Sequence, residues 1–343
     1  MIASYRIFRP FLLFCLTLLL GLGCSHRLPS DHSSQSSSSV SSDCRIIAHD
    51  AGQTEVCGQP LTIVALSPYI LDMMLALGVE PAGYAAADVT KELLRRPKFD
   101  NPRQQIPYLG NRLNGQPINL GDRHSPSLEA IARLQPDLIL GESWQGTQGK
   151  YGLLSKIAPT ILVDDNKDGW QHSIEIVSKT LDKPNQLQQI KADYDAKISA
   201  ARGQLAPVAS QYPRVLIISS GSLSEAIYPY NDTVFSRLLE QLNFQLVDTD
   251  SALSNNPTIS LEILPQLDTD IAIVVAWNDA AKNDAQGWKK LQQEWNGVPV
   301  LRQMPVSQAE RVFFLDARLS TIRGPLAAAA ILDNYLSFLI PLK

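Results

Sequence analysis

Few side chains in this chain are spaced for bond-making chemistry. The 343 residues include five histidines and four cysteines. His26 and His32 fall in a polar tail, and His49, His124 and His172 are far apart in sequence, so no metal site built from clustered His and Cys is expected. No nucleophile elbow, phosphate loop or dinucleotide fingerprint occurs, and no catalytic residue is assigned. What remains suits holding a ligand rather than transforming it. Tyr69, Arg112, Arg123 and Trp144 in the first half, and Tyr228, Tyr230, Trp277, Arg318 and Arg323 in the second, stand at turns or close to apolar strands. Arginine supplies a forked, permanently charged donor, and aromatic rings supply apolar area. A surface or helix-capping role competes with ligand contact for each arginine, and core packing competes for Trp144 and Trp277. Arg112 and Arg323 lead the arginines because both sit beside glycines or turn residues. Trp170, Trp288 and Trp295 read as structural.

The elements that must position these groups are visible in an internal repeat. Ser127-Leu128-Glu129 is followed by Leu134, Asp137 and the apolar run Leu138-Ile139-Leu140. Ser260-Leu261-Glu262 is followed by Leu267, Asp270 and Ile271-Ala272-Ile273. Each copy reads as a serine-capped helix running into a buried strand. The openings of the two halves echo each other more loosely, with strands at Leu61–Leu66 and Arg214–Ile218, each followed by an apolar-striped helix. Strands lacking clean alternation and separated by helices indicate mostly parallel sheets covered on both faces. Between the halves, Leu187, Ile190, Tyr194, Ile198 and Leu205 approximate one helical face, bounded by Pro184 and Pro207. The expected fold is α/β: two Rossmann-like lobes with mostly parallel sheets joined by one long linker helix. The lobes span 44–167 and 207–343, with 168–206 as the interdomain segment.

The N-terminus points to export. Arg6 and Arg9 precede an apolar stretch of signal-peptide length, so 1–23 reads as a signal peptide. Gly21-Leu22-Gly23-Cys24 then approximates a lipobox whose register is shifted by one, with Cys24 as the lipidation site; a plainly cleaved signal or an uncleaved anchor are the alternatives. Residues 24–43 are dominated by serine and form a tether that cannot bury apolar area. Cys44 and Cys57 bracket a small hairpin. In an exported protein they are expected to pair, free thiols being the other possibility. A net charge of −4 with 19% charged residues gives no reason to expect nucleic acid.

This organisation resembles the helix-linked (class III) periplasmic substrate-binding proteins of ABC importers. The resemblance rests on residues 127–140, on Ser260-Leu261-Glu262, and on the stretch from Trp288 to Val300 closing with Arg311-Val312-Phe313-Phe314-Leu315-Asp316. Val64-Ala65-Leu66 after a Cys-Arg-Ile-Ile hairpin, Gly141-Glu142-Ser143-Trp144 and Ile322-Arg323-Gly324-Pro325 resemble the iron–siderophore branch. The resemblance implies a monomer, without a cofactor of its own and not an enzyme, that binds a ferric siderophore whose iron is already fully ligated. The ligand is expected in the interlobe cleft, at the carboxyl ends of the strands. It also implies delivery to an ABC permease dimer, with Glu129 and Glu262 docking on permease arginines, in the periplasm or on the outer face of the cytoplasmic membrane. Ser67, Pro68, Asn111, Glu142, Ser143, Gln145, Ser222 and Asn278 join the expected cleft lining. Vitamin B12 or haem is the alternative cargo, with Tyr228 or Tyr230 as a haem axial ligand. Free metal-ion binding and an enzyme on the same architecture are more remote alternatives.

Overall fold

The computed structural model describes residues 43–87, 90–164, 166–167, 169–249, 257–277 and 287–342. The expected signal peptide, Cys24, almost all of the tether, and Asn278 lie outside the described residues.

The chain opens with a hairpin of β1 (Cys44–His49) and β2 (Gly52–Cys57). Cys44 and Cys57 are paired across it and form a disulfide. Arg45 ties the hairpin to the helix Trp170–Leu181 by donating to the carbonyl of Thr180 at 2.6 Å.

The first lobe is a sheet of β3 (Ile63–Ala65), β4 (Gly83–Ala86), β5 (Ile118–Asp122), β6 (Leu138–Glu142) and β7 (Thr160–Val163). Its order is β5-β4-β3-β6-β7, parallel throughout. The second sheet contains β8 (Arg214–Ser220), β9 (Tyr228–Pro229), β10 (Gln245–Leu246), β11 (Ile271–Ala276) and β12 (Val312–Asp316). Its parallel order is β10-β8-β11-β12, with β9 antiparallel on β8. Every residue of β11 is buried, as an apolar strand covered on both faces demands. The two lobes wind alike. In each, the chain runs outward from its first parallel strand and then returns to that strand's other side. The strand order therefore reverses between β3 and β6, and again between β8 and β11.

The repeat has a structural meaning in these two places. Asp137 accepts the amides of Leu61 and Thr62 at 2.9 and 2.8 Å, clamping the entry to β3. Asp270 accepts the Arg214 amide at 3.0 Å and its guanidinium at 2.9 and 2.8 Å, clamping the start of β8. Both carboxylates are held below the usual aspartate range. The backbone amides of Thr62 and Leu61 do this for Asp137, and the Arg214 side chain does it for Asp270.

Helix α1 (Pro68–Ala76) begins at Ser67, whose hydroxyl accepts the Ile70 amide, with Pro68 at its first position. Helix α2 (Leu128–Leu134) is capped as expected by Ser127 and stops at Gln135 in the left-handed region. The second copy differs. Ser260-Leu261-Glu262 enters a turn and only a 3-10 turn follows, Leu264–Gln266. Pro265 explains this: as the fifth helical residue it would lack the amide owed to Leu261 and would crowd that carbonyl.

Helices α3 (Trp170–Leu181) and α4 (Pro184–Gln211) follow β7. The linker helix α4 does not end at Pro207 but continues one turn beyond it. The missing proline amide costs one bond, to Gly203, and burial of Leu205, Val208 and Ala209 offsets it. The second lobe adds α5 (Val234–Gln241), α6 (Gly287–Gly297), α7 (Arg318–Ile322) and α8 (Pro325–Leu339). Helix α8 packs against α1 of the first lobe and against the linker as well as against its own lobe. The largest apolar cluster consequently runs without interruption from Tyr69 and Met73 through Val208 to Tyr335. Trp295 is buried with its indole nitrogen donating to Ser307 at 3.0 Å, Trp170 is buried, and Trp288 is packed against the second-lobe core.

Candidate functional site

In open parallel sheets a ligand is received where the strand order reverses, because the loops there leave in opposite directions and open a crevice. The reversal between β3 and β6 brings Ser67-Pro68-Tyr69 beside Glu142-Ser143-Trp144. The reversal between β8 and β11 brings Ser220-Gly221 beside Trp277. Trp144 and Trp277 thus stand at matching places, each just past its strand. They keep 36% and 39% of their surface in solvent, unusually much for tryptophan. Trp277 is oriented by its indole N–H, which donates to Ser219 at 2.8 Å.

Around Trp144 the first lobe builds a polar floor. The Arg123 guanidinium stands 5.7 Å from the indole centroid, and the His124 ring lies 5.3 Å from it. Gln145 locks the two loops together: its amide donates to the carbonyls of Leu66 and Arg123, and its oxygen accepts the Glu142 amide. Arg123 Nε and Ser143 Oγ are buried and meet no hydrogen-bond partner among the described residues. Leaving buried donors unmet costs on the order of 1–3 kcal/mol each.

Two further clusters join the lobes. Glu142, fully buried at the end of β6, forms an ion pair with Arg323 of the second lobe. Arg323 adopts the left-handed conformation (φ 39°) where α7 ends, and its guanidinium lies 4.6 Å from the centroid of the Tyr69 ring. Tyr69 itself is buried and donates to the Gly169 carbonyl at 3.4 Å, so it supports Arg323 from below rather than facing the crevice. In the second cluster Tyr108 donates to Asp316 at 2.8 Å, and the same carboxylate receives Arg318 Nε at 2.8 Å. Burial first, and then the Asp316 charge, raise the Tyr108 phenol well above its ordinary value. Arg318 and Arg323 are therefore both already balanced by carboxylates.

The other expected residues are dispersed. Tyr228 is 46% exposed on β9. Tyr230 is half-buried, with burial pushing its phenol upward, and it lines an interlobe cavity of about 700 Å³ together with Arg323, Gly169, Trp170, Tyr194 and Arg237. Arg112 and Asn111 are exposed, and the Arg112 charge bears on buried Asp72. The Ser222 hydroxyl donates to Glu294 of α6. Glu129 is exposed on the first turn of α2 and paired with Arg133 at 2.6 Å, and Glu262 is exposed in the turn after β11's preceding serine.

Three participants escaped the sequence reading. Tyr108 and Asp316 become partners across 208 residues, which no local pattern announces. Asp72 left one trace, a carboxylate inside the otherwise apolar run Pro68-Tyr69-Ile70-Leu71-Asp72-Met73-Met74.

Residues 63–319 match the family described as periplasmic binding protein. A probable siderophore-binding lipoprotein of Bacillus subtilis, YfiY, is 25% identical over 323 residues, covering 92% of this chain and 93% of that protein. The Fe(3+)-citrate-binding protein YfmC of the same organism is 26% identical over 303 residues, covering 86% and 87%. The crystal structure of Staphylococcus aureus SirA with staphyloferrin B superposes with a TM-score of 0.67 at 24% identity, covering 85% of this chain and 97% of that one, a likeness of fold.

Proposed function

The chain belongs to the periplasmic binding protein family, and from that premise we propose that it captures a ferric siderophore between its lobes and delivers it to an ABC permease dimer. The observation that carries the reading is the matched pair of half-exposed tryptophans, one at each strand-order reversal, with the Arg123 guanidinium beside one of them. A ferric chelate is bulky and presents planar ligating groups around an iron that needs no protein atom. Indole faces take up its apolar planes, and a guanidinium N–H satisfies one of its oxygens. Similarity to proteins named for siderophore and Fe(3+)-citrate binding supports the same cargo class. Tyr228 and Tyr230 extend the second-lobe wall.

Arg318 and Arg323 contribute through their fixed positions, since each is charge-balanced by Asp316 or Glu142. Glu129 and Glu262 are the permease contacts. Helix α2 leaves the carboxyl end of β5, so its first turn lies at the crevice rim, and the Arg133 pairing of Glu129 is an exposed pair worth only about 0.3–0.5 kcal/mol, readily exchanged for a partner's arginine. The protein works as a monomer, held by a lipid on Cys24 and a serine-rich tether at the outer face of the cytoplasmic membrane.

Tryptophan fluorescence of the purified protein, titrated with ferric hydroxamate, catecholate and citrate-type siderophores and with haem and cobalamin, tests the cargo. Quenching at micromolar or lower concentration by a ferric siderophore is expected. A response to haem or cobalamin alone overturns the reading.

A further inference from the structure

Helix α8 begins without a capping side chain of its own: Gly324 occupies the capping position, and its first turn holds no acid. Its open amides are met from the other lobe. Asp72 of α1, 254 residues away and fully buried, accepts the Leu326 amide at 3.0 Å on one carboxylate oxygen and the Ala327 amide at 2.9 Å on the other. The carboxylate occupies the space a side chain at 324 would fill, because a Cβ there would lie 2.5 Å from Asp72 Cγ. One turn earlier on the same face of α1, Tyr69 lies beneath the Arg323 guanidinium. Two consecutive turns of a first-lobe helix therefore seat one second-lobe turn, Arg323-Gly324-Pro325, by its amides and by its side chain.

We propose that Asp72 is a positioning residue of the ligand crevice, pinning that turn to the first lobe so that Arg323 stays over Tyr69 and against Glu142. Arg323 then belongs mechanically to the first lobe although its chain segment belongs to the second. Movement of the second sheet leaves it in place, so the crevice keeps one wall preformed. This rests on the crevice being the cargo site.

The test is a double-mutant cycle on ferric-siderophore affinity, read by tryptophan fluorescence, with Asp72→Asn, Arg323→Ala and the double variant, each also followed by thermal melting. Asparagine keeps the shape but turns an N–H donor toward an amide donor. We expect Asp72→Asn to weaken binding about tenfold, and to add nothing in the Arg323→Ala background. A purely structural Asp72 would cost the same factor in both backgrounds, and that result overturns the assignment. Should Asp72→Asn fail to fold, Gly324→Ala breaks the same contact from the opposite side and is read in the same cycle. If the wild-type protein binds no ferric chelate, the cargo reading falls first; if it binds and the cycle is additive, only the placement of Arg323 by Asp72 falls.

Discussion

Replacing Arg323 by methionine isolates the ion pair between the lobes. Methionine keeps an unbranched stem over Tyr69 and, like arginine, is a non-glycine residue in the left-handed region, so backbone strain is unchanged. What it removes is the partner of Glu142, whose side chain is 1% exposed, while Arg323 itself is 20% exposed. Stranding a buried charge costs about 3–5 kcal/mol, and the partial access of water on the arginine side places this case near about 3 kcal/mol. For a folded body of roughly 300 residues, unfolding entropy of about 2.1 cal/mol/K per residue converts this to a loss of about 5 °C in Tm. Replacing both partners, Glu142→Leu with Arg323→Met, removes the stranded charge and should recover most of the loss. Thermal melting followed by circular dichroism at neutral pH measures all three variants. A single variant melting within about 1 °C of wild type, or a double variant no better than the single, would refute the claim that this pair is buried and mutually dependent.

Other outcomes follow from the same structure. Replacing Cys44 and Cys57 by serine removes a link across 13 residues and is expected to cost about 3 kcal/mol in unfolding titrations, with cargo affinity unchanged because the disulfide closes the open end of the hairpin, opposite the His49–Thr54 end that touches Tyr151. Burial raises the Asp72 pKa to about 7, outweighing the Leu326, Ala327 and Gly324 amides and the Arg112 charge. The folded protein therefore holds this proton more tightly than the unfolded chain, so the group's contribution favours folding below about pH 4 and is lost as pH rises through about 7. Denaturation midpoints of Asp72→Asn measured across that window are expected to lack this slope; an unchanged slope would assign it to other groups. Glu129→Arg or Glu262→Arg is expected to abolish uptake by cells while cargo affinity stays within twofold, and normal uptake would discard both as permease contacts. Trp144→Ala and Trp277→Ala are each expected to weaken ferric-siderophore binding about tenfold, equivalent to about 1.4 kcal/mol, with equal affinity in both variants and wild type counting against the paired-wall arrangement.

Much of the architecture was legible in the chain because it depends on short-range pattern. The apolar runs of β6 and β11, the serine cap of α2 and the apolar stripe of α4 are local features that burial alone turns into elements. The limits of local reading are equally specific. Pro265 prevented a helix where the S-L-E pattern promised one, and Pro207 failed to stop a helix because buried neighbours offset its missing bond.

By itself, then, the amino-acid sequence pointed to two α/β lobes, to a pairing of Cys44 with Cys57 across a hairpin, and to a pair of tryptophans at matching strand ends. Each of these rests on residue type, on local spacing, or on a pattern the chain repeats. Only the tertiary structure decided what the polar residues do. Tyr69 became a buried support, Arg318 and Arg323 were balanced by acids, and Asp72 became the cap of a helix 254 residues away. Charge balance and capping are settled by whichever group arrives within about 3 Å, and a one-dimensional pattern carries no information on arrivals from another lobe.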